Sequence, residues 1–120
     1  MLKKLIGIFI SLCSSALATA ADPMIDTRNA SIYVDEWVTA CGTVVEVNHM
    51  PNRHYINFDR RYPNQSLTAL VWNKDFVIFE KRFGRLDNYV GQKLCVVGNI
   101  IPTKYNLQMN VSGAQFIKIP

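Results

Sequence analysis

Two stretches of this 120-residue chain echo each other at a fixed offset. The first is Tyr33-Val34-Asp35-Glu36-Trp37-Val38-Thr39-Ala40-Cys41-Gly42-Thr43-Val44, and the second is Tyr89-Val90-Gly91-Gln92-Lys93-Leu94-Cys95-Val96-Val97-Gly98-Asn99-Ile100. Each reads as Tyr-Val, a turn, then a strand that carries one cysteine and one glycine. The repeated unit is far smaller than a domain. It demands a fold in which two strands are approached in the same way.

The first twenty residues stand outside that argument. Lys3 and Lys4 precede an apolar run over 5–12, which leads into Ala16-Leu17-Ala18-Thr19-Ala20. This is the pattern of a signal peptide, with a run too short to span a bilayer and small residues ahead of a cleavage after Ala20. Lipidation at Cys13 is disfavoured, because Leu12 stands where a small residue is needed. The expectation is a periplasmic or secreted protein with no stable membrane anchor after cleavage. It divides into a signal peptide over 1–20, an N-terminal segment over 21–32 and one domain over 33–120.

A hundred residues remain, near the small end for a self-sufficient core. Cys41 and Cys95 are the cysteines left, and an even count in an exported chain favours a disulfide over reactive thiols or a metal pair. Charge is also redistributed. Eleven bases against nine acids give the mature part a net charge of +2. Residues 49–93 hold eight bases and four acids, whereas 22–46 is acidic. Such a dipolar distribution suits an anionic partner.

Period-two patterning and turn residues predict strands over most of the chain. Val38 to Val47 is the first, followed by a turn at 48–52 and a second strand from Arg53 to Asp59. Its alternation places Ile56 and Phe58 towards a core, with Tyr55, Asn57 and Asp59 facing away. After a turn at Tyr62-Pro63-Asn64-Gln65 comes a third strand, Leu67 to Trp72, apolar on both sides. Phe76, Phe79 and Phe83 then recur at helical spacing, with Asn73 or Asp75 as N-cap and Gly84 as a stop. That aromatic stripe reads as core, a plug for a barrel. Lys93 to Ile101 is a fourth strand, Leu107 to Val111 a fifth, and Gln115 to Ile119 a terminal extended piece.

Three strands, a helix and two strands resemble the OB-fold, an all-β, five-stranded Greek-key barrel with one short helix between strands 3 and 4. The resemblance covers residues 33–119. It rests on Cys41-Gly42-Thr43-Val44-Val45, Tyr55-Ile56-Asn57-Phe58, Leu67-Thr68-Ala69-Leu70-Val71-Trp72 and, most specifically, the second echoed stretch, which is similar to the pattern that many OB-fold nucleic-acid-binding domains carry around the fourth strand. In that family the first and fourth strands are antiparallel neighbours, which implies a bond between Cys41 and Cys95. Gly42 and Gly98 are expected at bulges or bends.

The family resemblance also implies a binding face on strands two and three, between the first and fourth loops. Matching positions are Arg53, Tyr55 and Asn57 on the second strand, Arg60, Arg61 and Tyr62 at its exit, Trp72 and Lys74 at the end of the third, and Lys104 and Tyr105 in the last loop. Aromatics and bases in this arrangement fit single-stranded DNA or RNA. An oligosaccharide or protein ligand would use the same face. A copper(I) site from His49, Met50, His54, Met109 and Trp72 is a further alternative, since soft ligands suit that ion; the loose spacing favours no metal and no cofactor. Neither a carboxylate cluster around Asp59, Arg60 and Arg61 nor a nucleophile triad is recognisable, so no catalysis is expected.

Overall fold

Residues 22–120 are described by the computed structural model, so the signal-peptide reading lies outside the described residues. Seven strands and one α-helix form there. They are β1 (Met24–Asp26), β2 (Trp37–His49), β3 (Arg53–Phe58), β4 (Leu67–Trp72), α1 (Asn73–Phe83), β5 (Lys93–Pro102), β6 (Leu107–Val111) and β7 (Ile117–Lys118). Hydrogen-bonded neighbours follow the order β1-β2-β3-β4-β6-β5-β7, and β2 also pairs with β5. That last pairing closes β2 to β6 into a five-stranded barrel, the OB-fold the sequence implied. Counted among barrel strands alone, α1 falls between the third and the fourth.

β2 is long because it serves two partners. Its first half, Trp37 to Thr43, pairs antiparallel with β5, and its second half, Val44 to His49, pairs with β3. The register shifts between Val44 and Glu46, a bulge that turns the strand from one side of the barrel to the other. The bend therefore falls after Gly42 rather than on it.

The echo is structural. Each copy follows a 3-10 turn that ends at its tyrosine, Thr27–Tyr33 or Leu86–Tyr89. Each then passes through one left-handed residue, Asp35 at φ 67° or Gly91 at φ 88°. Asp35 N–H donates to Ile100 O (2.7 Å) and Ile100 N–H to Glu36 O (3.1 Å). At the equivalent positions, Gly91 N–H donates to Val44 O (2.7 Å) and Val44 N–H to Gln92 O (3.0 Å). Ala40 pairs with Val96, its own counterpart. The β2–β5 seam thus has a local two-fold, and Cys41 faces Cys95 directly across it, joined as a disulfide.

Fully buried side chains fill the barrel: Val38, Ala40 and Val44 of β2, Ile56 and Phe58 of β3, Leu67, Ala69 and Val71 of β4, Leu94, Val96 and Ile100 of β5, and Met109 of β6. Each large one contributes about 1.5–3 kcal/mol by leaving water. The seam glycines make room for neighbours. A Cβ on Gly42 would collide with the Thr27 side chain, and one on Gly98 would lie 2.8 Å from Met109 Cγ.

Three expectations need correction. The N-terminal segment is an integral part of the fold, since β1 pairs parallel with β2 and the following turn buries Thr27 and Ala30. In α1 the stripe is only partly core: Phe79 is buried, Phe76 is half-buried and Phe83 is 47% exposed. Gly84 does end the helix, but the N-cap is Trp72 with no side-chain cap bond. Asn73 is engaged elsewhere, with His54.

Candidate functional site

A groove of about 420 Å³ lies on the outer face of β3 and β4. Alternation along β3 and the register with its neighbours build its floor. Outward residues line up across strands as Glu46, Asn57, Thr68 and Gln108 in one row and Asn48, Tyr55, Leu70 and Asn110 in the next. Asn48 and Met50, at the β2–β3 turn, form one wall; Thr103 and Asn106, in the β5–β6 loop, form the other. Tyr62 and Gln65 close one end. The lining holds two tyrosines, several carboxamides and no charged side chain.

Beneath this surface runs a hydrogen-bonded chain. Gln65 Nε2 donates to Thr68 Oγ1 (2.8 Å), and Thr68 Oγ1 donates to Asn57 Oδ1 (2.7 Å). Asn57 Nδ2 then donates to Glu46 Oε2 (2.8 Å). Glu46 also accepts from the Tyr62 backbone N–H (2.7 Å) and from Arg61 (3.3 Å). The Tyr62 N–H above all, with Asn57 and Arg61 assisting, holds the Glu46 carboxyl below the usual carboxylate range against the opposing effect of burial. An ionised carboxylate can only accept, so it anchors the chain's direction.

The residues singled out from the sequence divide between several places. Tyr55, Asn57 and Tyr62 line the groove. Asn57 is nevertheless buried, its amide committed to Thr68 and Glu46. Arg53 donates from Nε to the Tyr55 hydroxyl (2.7 Å), fixing that ring on the floor. Arg61 is exposed beside Glu46. Lys104 and Tyr105 sit between the two loop residues that form a wall, with the ammonium 5.3 Å from the ring centre. Trp72 is 43% exposed and pairs with Arg53, one row beyond Tyr55. Lys74 is on the first turn of α1, beside the buried Asp75.

Arg60 belongs to a different cavity, of about 780 Å³, with Arg28, Lys93, Asp26 and Asp59. Its carboxylates are already engaged. Asp26 receives two hydrogen bonds from the Arg28 side chain, which hold its carboxyl far below the usual range. Asp59 accepts from Thr27 Oγ1 (2.6 Å) and from Ser66 Oγ.

His49 and His54 meet across the β2–β3 hairpin, Nδ1 to Nδ1 at 2.7 Å. The other His49 nitrogen contacts Asp87 (2.9 Å), and that of His54 contacts Asn73 Oδ1 (3.0 Å). Burial is the largest influence on Asp87 and pushes its carboxyl up, but His49 and Arg85 together hold it below the ordinary range. Met109 is inside the barrel. Among the described residues no three His, Cys, Asp or Glu side chains converge to hold a metal ion.

Sequence reasoning missed Gln65, Thr68 and Glu46. Thr68 was accessible from the alternation of β4, whereas Gln65 reads as a turn residue and Glu46 depends on the bulge.

No family model and no curated protein matches the chain. Solved structures do. A chain assigned as an aspartyl-tRNA synthetase from Leishmania major Friedlin aligns over 82% of this chain at 11% identity and a TM-score of 0.56. An OBody bound to hen egg-white lysozyme aligns over 85% of this chain and 96% of its own, at 9% identity and 0.55. A chain of the S. pombe Stn1-ten1 complex aligns over 64% of this chain at 17% identity and 0.49. The match spans 54% of that last chain and 21% of the synthetase chain. The synthetase and OBody matches, at 11% and 9% identity with TM-scores of 0.56 and 0.55, are a likeness of fold alone, and the fold is the OB barrel.

Proposed function

We propose that the protein is an exported binding module that holds single-stranded nucleic acid in the β3–β4 groove, with no chemical step. One observation carries this reading: the groove is aromatic and amide-lined inside, while cations stand only around it. Tyr55 and Tyr62 offer faces for stacking, and Arg53, bonded to the Tyr55 hydroxyl, Arg61, beside Glu46, and Lys104, beside Tyr105 in the β5–β6 loop, are the cations that adjoin the lining residues. Bases and phosphates need those two different environments. Export rests on the leader pattern over 1–20, which agrees with a disulfide in the barrel.

The test is anisotropy of a labelled single-stranded oligonucleotide at low and high salt. Tyr55→Ala is expected to weaken binding by about 1–3 kcal/mol, one stacked base. Arg61→Ala is expected to lower the salt dependence by about one phosphate contact, a slope change near 0.7. Absence of binding by the unaltered protein at low salt overturns the reading.

A further inference from the structure

Among the described residues, one buried side-chain polar atom has no hydrogen-bond partner, and it belongs to the groove. It is Gln65 Oε1, on a residue 7% exposed that lines the cavity. Its lack of a partner is not an accident of how the amide is turned. The Glu46 carboxylate can only accept, so Asn57 must present its NH₂ there and its carbonyl to Thr68. The Thr68 hydroxyl must then donate to Asn57, which leaves its lone pair to receive Gln65 Nε2. Gln65 is thereby turned so that its carbonyl oxygen is the unspent end of the chain. A buried acceptor in this condition costs stability until a donor arrives.

We propose that Gln65 Oε1 is a base-recognition atom, accepting an N–H from a nucleobase stacked against Tyr62 or Tyr55. The proposal rests on the nucleic-acid reading of the groove and adds to it a specific acceptor. Rings are available on the lining: Tyr62 is 59% exposed at the same end as Gln65, and Tyr55 lies on the floor. A base fits this requirement better than a sugar hydroxyl, because it supplies a flat face and an N–H from the same rigid group.

Labelled oligodeoxycytidylate and an abasic strand of equal length, each titrated at low salt, separate the possibilities. The unaltered protein should prefer the base-bearing strand. Gln65→Met keeps the length of the side chain but removes both the acceptor and the amide that donates to Thr68, so that preference should shrink by about tenfold, one hydrogen bond, with a smaller loss of abasic affinity and with Tm measured alongside to separate any change in folding. Thr68→Val, which frees the Gln65 amide to turn over, should also erode the preference, whereas Thr68→Ser should retain it. An undiminished preference in Gln65→Met overturns the inference and leaves the nucleic-acid reading standing. Binding of neither strand overturns both. Tight binding of an N-acetylated oligosaccharide in place of DNA would reassign the acceptor to an amide of a different ligand class.

Discussion

The two echoed halves use one backbone device for two different ends. In each, a glycine on the barrel-facing side of the seam leaves out a Cβ so that a side chain from elsewhere can enter. Beside Gly98 the guest is Met109, buried, flexible and apolar. Beside Gly42 it is Thr27, whose hydroxyl donates to Asp59 beyond β3. Repetition has set the course of the chain, and the guests have been chosen separately. Symmetry here belongs to the scaffold alone: both halves hold the seam, but the second half of β2, past the bulge, carries Glu46 to the polar chain beneath the groove.

The largest effect on the comparison should come from cutting the seam itself. Replacing Cys41 and Cys95 by serine opens a loop spanning 54 residues, and should cost about 4 kcal/mol in urea unfolding. Equal stability of the reduced and oxidised forms would show that the strand pairing alone holds the halves together. Next come the glycines. Gly42→Ala should cost about 3 kcal/mol, because short, β-branched Thr27 is pinned by Asp59; Gly98→Ala should cost about 1 kcal/mol, because Met109 can shift. Equal losses in thermal unfolding would break the distinction drawn between the guests. The smallest effect concerns acid. The folded carboxyl of Glu46 is held down, so its contribution is present above the unfolded value near 4.5 and is lost as pH falls through the lower folded value. Glu46→Gln should remove that part of the acid sensitivity, on the order of 1 kcal/mol. A Glu46→Gln profile parallel to the original down to strongly acid pH would show the charge to be idle.

What could be read from the sequence followed from periodic or paired signals. The echo gave two strands approached alike, and the alternation of Ile56 and Phe58 gave the core face of β3. Such patterns survive because burial acts on every second residue. Asn57 was assigned correctly to the outward side but not to burial, since the polar chain that covers it comes from three separate segments. The same holds for Thr27: nothing in 21–32 announces a strand, because β1 is three residues long and its partner lies on β2. Gln65 was hidden for a different reason. Its importance comes from a direction of proton donation that begins nineteen positions earlier, at Glu46.

The histidine pair gives the groove unequal walls. His49 and His54 tie the β2–β3 turn to Asn73 at the head of α1 and to Asp87 ahead of β5, and His54 stacks on Phe76 at 3.6 Å between ring centres. The opposite wall is fastened mainly to itself, by bonds between Thr103 and Asn106. One wall is therefore braced from behind by two further elements, and the other is a free-standing clasp. With fewer ties to the rest of the barrel, the β5–β6 loop is the wall with the lower local stability, while the histidine side is held in place from two directions.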